Sequence, residues 1–217
     1  NADEIYDQVV AIDRQSRLYF DRPLSNIVFM GMGEPLMNYK NLINAIEKIT
    51  HQDGLGMSTS RVTVSTSGIP KIIMKMADDQ VRFGLAVSLH SARQNVRAKL
   101  MPFAEKFPLN DLAYAIKYWY DKTEKIVTYE YVVWKGINDS DEDINALLNF
   151  CKISPCKVNL IEYNPIGDDQ FVQAENNIIK AYVKALEAQR ITVTVRRSRG
   201  KDIDAACGQL ANKDMLA

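Results

Sequence analysis

The chain has 217 residues, 47% of them hydrophobic and 25% charged, which is ordinary globular composition and enough length for one sizeable core. Its 27 basic and 27 acidic side chains cancel, so overall charge points to no polyanionic partner and any basic binding surface must be a local patch. No apolar run reaches membrane-spanning length and no signal-peptide pattern opens the chain. The three cysteines, Cys151, Cys156 and Cys207, lack C-x-x-C spacing, which argues against a disulfide framework or a zinc site and fits a cytoplasmic protein with reduced thiols.

Along the chain, Ile5, Val9, Ile12 and Leu18 are spaced for one helical face, predicting a helix over residues 3–20. Apolar runs at 26–30, 61–65, 83–88, 127–133, 157–161 and 191–195 read as strands. Helical patterns lie between them at 39–50, 70–79, 110–123, 140–151 and 175–189. Strict alternation of short strands with helices predicts an α/β fold whose parallel sheet is covered by helices, in a single domain spanning residues 1–217.

The segments that follow the strands carry the chemistry. The first strand ends in Gly31-Met32-Gly33-Glu34-Pro35, the second in Ser65-Thr66-Ser67-Gly68, the third in Ser88-Leu89-His90 and the fifth in Tyr163-Asn164-Pro165. Ligands of barrel and doubly wound folds bind at the carboxyl ends of strands, so these small polar endings suggest a rim around a polar ligand; the same residues are also ordinary turn formers. Glu34 suits either a carboxylate that holds an ammonium group or a residue compensating a helix amino terminus, and the segment is not a dinucleotide fingerprint because the third glycine is missing. His90 and His51 lack the partners of metal ligands, and a histidine at a strand end is more often a structural hydrogen-bonder than a base. Four positive charges between Arg196 and Lys201 suit a phosphate backbone or a solvated strand end. Cys207 follows them among small residues, with Asp202 and Asp204 opposing a thiolate and a helix amino terminus at Asp204 favouring one.

Taken in order, FMGMGEPLMN, VTVSTSG, AVSLHSA, LMPF, GINDS, VNLIEYNP and DIDAACGQL resemble the radical S-adenosylmethionine RNA methyltransferases that modify carbon 2 of adenosine, and the resemblance runs through the whole chain. The proline of GMGEP resembles these enzymes rather than the related carbon-8 methyltransferases of antibiotic resistance, which usually carry alanine there. The resemblance implies a partial radical-SAM β/α barrel whose first βα unit is missing, acting on large-subunit ribosomal RNA, on transfer RNA or on both. It implies that Cys207 takes a methyl group from one S-adenosylmethionine. A second S-adenosylmethionine, cleaved at a 4Fe–4S cluster, then yields the radical that activates this methyl for addition to the ring. Gly33 and Glu34 would contact the methionine part of the cofactor, with Ser65, Ser88, Leu89, His90 and Asn164 lining the rest.

The C-x3-C-x2-C cluster motif of such enzymes is absent from the chain, as are the first strand, the resolving cysteine, the upstream acidic base and the N-terminal RNA-binding domain. The expectation is a C-terminal catalytic portion of a longer protein, inactive alone, whose parent also needs an electron donor. A phosphate-binding barrel enzyme would explain the strand-end residues but not DIDAACGQL. A non-catalytic RNA-binding module would fit if the parent also lacked the cluster motif.

Overall fold

The computed structural model describes residues 1–31, 33–164 and 171–197. In chain order the elements are helix α1 (Ala2–Phe20), β1 (Ile27–Phe29), α2 (Tyr39–Thr50), β2 (Val62–Thr66), α3 (Pro70–Asp78), β3 (Gly84–Ser88), α4 (Gln94–Leu100), α5 (Leu109–Thr123), β4 (Val127–Val132), α6 (Asp141–Cys151), β5 (Cys156–Ile161), α7 (Asn176–Ala188) and β6 (Thr192–Arg196). Single 3-10 turns at Pro35–Asn38, Thr59–Arg61 and Pro102–Glu105 punctuate the loops.

Among the described residues six strands pair in parallel in the order of the sequence, β1 to β6. Because parallel crossovers are right-handed, an order that never reverses sends every connecting helix over the same face of the sheet. A doubly wound fold requires a reversal, so this order is that of a β/α barrel wall with β1 and β6 at its edges. The alternation of side chains agrees. Val62, Val64, Leu85, Val87, Tyr129, Tyr131, Val158 and Leu160 point into one core with Leu42, Ile73, Met76, Leu112, Trp119, Leu147 and Leu186 of the helices. Each such large side chain, fully buried, contributes about 1.5–3 kcal/mol.

The opposite face is polar or small. Register places Ser65 beside Ala86, and aligns Ser88, Glu130, Asn159 and Thr194 in one row across four strands. Helix starts follow their sequences: Pro70 occupies the first turn of α3, where its missing N–H costs nothing, and Ser140 and Asp143 form a reciprocal capping box on α6.

Two elements differ from expectation. Helix α4 falls where no helix is predicted, because its buried position is taken by Arg97, which breaks the apolar stripe in a seven-residue element. Helix α1 forms as expected, but its stripe is not buried: Ile12 and Leu18 are 52% and 76% exposed. Its buried residue is Asp13, whose carboxylate accepts from the Leu24 N–H at 2.8 Å and from Arg17 Nε at 2.7 Å, tying the helix to the segment before β1.

Candidate functional site

At the carboxyl end of β1 the chain turns through Gly33, whose φ of +85° lies in the left-handed region that favours glycine; the space beside its Cα is open, so conformation rather than crowding calls for glycine. This turn brings Glu34 against the end of β2. One carboxylate oxygen accepts from the Leu36 N–H at 3.0 Å and from Thr66 Oγ1 at 2.7 Å. The other accepts from the Ser67 N–H at 2.7 Å and from the Ser67 hydroxyl. All four acceptor positions of the carboxylate are therefore engaged. Glu34 also caps the 3-10 turn at Pro35–Asn38, so both roles open at the sequence level are compatible with its position.

Gly68 follows with φ +97°, and a methyl group on it would come within 2.9 Å of Leu112 Cδ1. Behind Ser67 and Gly68 sits Arg97, which is fully buried. Its Nη2 donates to the carbonyls of Ser67 at 2.6 Å and Ser88 at 3.3 Å, and its Nε donates to that of Leu89 at 3.2 Å. One guanidinium thus gathers the ends of β2 and β3, and burial lowers its pKa to about 10.

Past Ser88, the N–H groups of Leu89 and His90 both donate to the Glu130 carbonyl, at 3.0 and 3.3 Å. The Leu89 side chain lies in the helix-side core, so Leu89 faces a ligand through its main chain at most. His90 has φ +55°, half-buries its ring, and accepts the Val132 N–H on Nδ1 at 3.2 Å. Burial, aided by the positive charge of Arg97, pushes its pKa down to about 4. With Nδ1 an acceptor, the ring is neutral and carries its proton on Nε2, the hydrogen-bonding role expected of it. Ser65 and Asn164 are buried at the ends of β2 and β5. The structure therefore brings Gly33, Glu34, Ser65, Ser88, His90 and Asn164 to the carboxyl ends of the strands.

The row on the helix-free face adds a group that the sequence reading passed over. Glu130, 3% exposed, accepts from Asn159 Nδ2 at 2.9 Å and faces Arg196 Nη1 at 3.4 Å. Burial holds its carboxyl above the usual carboxylate range, with Asn159 and Arg196 pulling the other way. A carboxylate inside the β-branched and aromatic run Val127–Val132 was the available signal. Arg196, counted in the basic run, is spent in part on Glu130, whereas Arg197 is exposed. Cys207, Arg199 and Lys201 lie outside the described residues.

Cys151 and Cys156 stand at the end of α6 and the start of β5, at the amino ends of the strands, where the Cys156 thiol approaches the Cys151 carbonyl at 3.8 Å. They are at the wrong end of the sheet to hold an iron–sulfur cluster facing this rim. Among the described residues no group of three or more His, Cys, Asp or Glu is arranged to hold a metal, and no helix is long and apolar enough to cross a membrane.

The unreversed parallel sheet and its helices form the radical-SAM fold, as a solved structure shows. A radical SAM methyltransferase from Sphaerobacter thermophilus superposes with a TM-score of 0.92 at 38% identity, over 96% of this chain and 61% of that one. No protein-family profile matches the chain. Curated relatives do: proteins named probable dual-specificity RNA methyltransferase RlmN from Christiangramia forsetii and Flavobacterium psychrophilum are each 68% identical, over 213 and 212 residues. The chain is similar to these RlmN-named proteins over 98% of its own length, and it spans about 60% of theirs.

Proposed function

We propose that the chain forms the cofactor-holding part of a radical S-adenosylmethionine enzyme that methylates carbon 2 of adenosine in large-subunit ribosomal RNA and in transfer RNA. The observation that carries this reading is the gathering of Gly33, Glu34, Ser65, Ser88, His90 and Asn164 at one end of a sheet whose sequence is 68% identical to the RlmN proteins. The site fits S-adenosylmethionine chemically, because it offers a carboxylate for an ammonium group, a neutral imidazole N–H and small polar side chains.

When bound, S-adenosylmethionine supplies a methyl group by displacement at sulfur and, with an electron from a 4Fe–4S cluster held elsewhere in the longer protein, radical chemistry. Glu34 presents a fixed negative charge to the methionine ammonium. Since its acceptor positions are full, the ligand must displace a donor, and the Ser67 hydroxyl, free to rotate, is the one that yields. His90 holds its Nε2 proton toward the rim as a donor, and Arg97 keeps the two strand ends at a fixed separation from behind. Cys207 is the methyl carrier, a thiolate being the side-chain nucleophile suited to attack a sulfonium methyl.

The test uses a protein of the relatives' full length, loaded with its cluster under anaerobic conditions. Mass spectrometry of RNA after turnover is expected to show 2-methyladenosine, peptide mapping is expected to place a methyl on Cys207, and Cys207→Ala is expected to give no product. Product from Cys207→Ala, or 8-methyladenosine, would overturn the assignment.

A further inference from the structure

The segment Gly136-Ile137-Asn138-Asp139-Ser140 stands after β4 and contributes nothing to the rim itself, yet Asn138 within it is fully buried and makes contacts in every direction. Its Nδ2 donates to the His90 carbonyl at 2.6 Å and to the Val132 carbonyl at 2.9 Å, while its Oδ1 accepts from the Trp134 N–H at 2.7 Å. Its own carbonyl accepts from the Tyr182 hydroxyl of α7 at 2.7 Å. Both amide protons and the amide oxygen are used, and turning the amide over would set its oxygen against two carbonyls. The orientation is therefore unique.

The two carbonyls it bridges belong to the ends of neighbouring strands, and the same two residues are joined a second time by Val132 N–H to His90 Nδ1 at 3.2 Å. His90 sits at φ +55°, in the left-handed region that costs a non-glycine residue conformational energy, and contacts from outside the turn offset that cost. Trp134, whose N–H ends on Asn138, also packs its ring edge-on against His90 with centroids 5.6 Å apart.

From this geometry we infer that Asn138 is a positioning residue: through the carbonyls of His90 and Val132 it locks the Ser88–His90 turn and fixes the His90 imidazole as the Nε2–H tautomer that the rim presents to its ligand. That the ligand is S-adenosylmethionine rests on the function proposed above; that Asn138 sets the tautomer does not. Removing the amide donors frees the turn to leave its left-handed conformation, separates Nδ1 from the Val132 N–H, and lets the ring proton divide between the two nitrogens. The charged group facing His90 is Arg97 of α4, which stays in place and continues to disfavour the imidazolium.

The experiment reads the two layers separately. In the chain without ligand, nitrogen-15 spectra of His90 are expected to show the pure Nε2–H tautomer, with a scalar coupling across the Val132 N–H···Nδ1 bond. In Asn138→Ser, which removes the amide nitrogen and its two donors without adding charge, and in Asn138→Ala, the coupling is expected to vanish and the tautomers to mix, with the folded helix content retained by circular dichroism. If neither variant folds, Asn138→Gln decides in their place: a wild-type coupling that survives unchanged in this displaced amide, or no coupling in the wild type, overturns the inference. An unchanged tautomer in a folded variant overturns it equally. In the full-length, cluster-loaded protein the variants are expected to bind S-adenosylmethionine about tenfold more weakly, the weight of one hydrogen bond to the ligand. A wild-type protein that fails to bind S-adenosylmethionine refutes the proposed cofactor while leaving the tautomer result standing. A shifted tautomer with unchanged affinity removes Asn138 from the binding role.

Discussion

Glu34→Gln is the substitution whose outcome the geometry constrains most. The wild-type carboxylate accepts from four donors, two on each oxygen: Leu36 N–H and Thr66 Oγ1 on one, Ser67 N–H and the Ser67 hydroxyl on the other. Glutamine replaces one oxygen with an amide nitrogen. Either way round, that nitrogen meets one hydroxyl, which can rotate away, and one main-chain N–H, which cannot. A stranded main-chain donor costs about 1–3 kcal/mol, and a chain of this size loses roughly 2–4 °C in Tm per kcal/mol, so ligand-free Glu34→Gln should melt about 2–12 °C lower. Circular dichroism melts of the variant and wild type check this. Ser67→Ala, which removes only a hydroxyl donor, should fall by less. On binding, the same two variants should part in the opposite sense. Loss of the negative charge weakens S-adenosylmethionine by about 1.5–3 kcal/mol, whereas Ser67→Ala vacates the acceptor position that the ammonium needs and leaves affinity equal or higher. An unchanged Tm in Glu34→Gln would refute the four-donor arrangement, and equal weakening in both variants would refute displacement of the Ser67 hydroxyl.

Gly68→Ala combines a left-handed φ of +97° with a 2.9 Å approach to Leu112 Cδ1 and should cost about 1–3 kcal/mol in urea denaturation; adding Leu112→Val should recover the steric part alone, and full recovery would show that the backbone bears no strain. His90 is neutral in the folded chain down to about pH 4 but charges near 6.5 when unfolded, so the unfolded state binds more protons between these values and stability falls as pH drops from 6.5 to 4. That displacement is worth about 3 kcal/mol, and denaturation of His90→Asn across the same window should show a correspondingly shallower pH dependence than wild type.

Much of the architecture was legible because short strands and amphipathic helices write different periods into a chain, and all six strands fall where apolar runs predict them. The same period of two was sufficient to place Leu89: it continues the parity of Leu85 and Val87 and so turns toward the helices, leaving Ser88 on the other face. Helix α4 was illegible because a buried arginine reads as a surface residue until the carbonyls of Ser67, Ser88 and Leu89 are seen around it. The stripe on α1 misled in the other direction, since periodicity marks a face that can be covered without saying what covers it. Strand ends announce the rim residues by composition. Asn138 stands inside the GINDS motif, but its role does not announce itself, because its partners His90 and Val132 are brought together by parallel strand pairing rather than by sequence spacing.

The basic run illustrates how a cluster counted in sequence separates in space. Arg196, the last residue of β6, directs Nη1 at Glu130 across the helix-free face at 3.4 Å, while Arg197, one position on, is exposed. Alternation along a strand imposes this division, since consecutive side chains point to opposite faces. Arg196→Ala should therefore act on the fold: it removes the cation beside a buried carboxylate already held above its usual range by burial, at a cost of about 1–2 kcal/mol because the arginine itself is half exposed. Arg197→Ala should leave stability unchanged and, where the basic run serves a phosphate backbone rather than a solvated strand end, should flatten the log–log salt dependence of RNA binding in the full-length protein by nearly one unit. Denaturation and salt-titrated binding of both variants separate the roles. A flattened slope in Arg196→Ala with no loss of stability would mean that Arg196 serves a phosphate rather than Glu130. An unchanged slope in Arg197→Ala would leave that side chain as part of a solvated strand end.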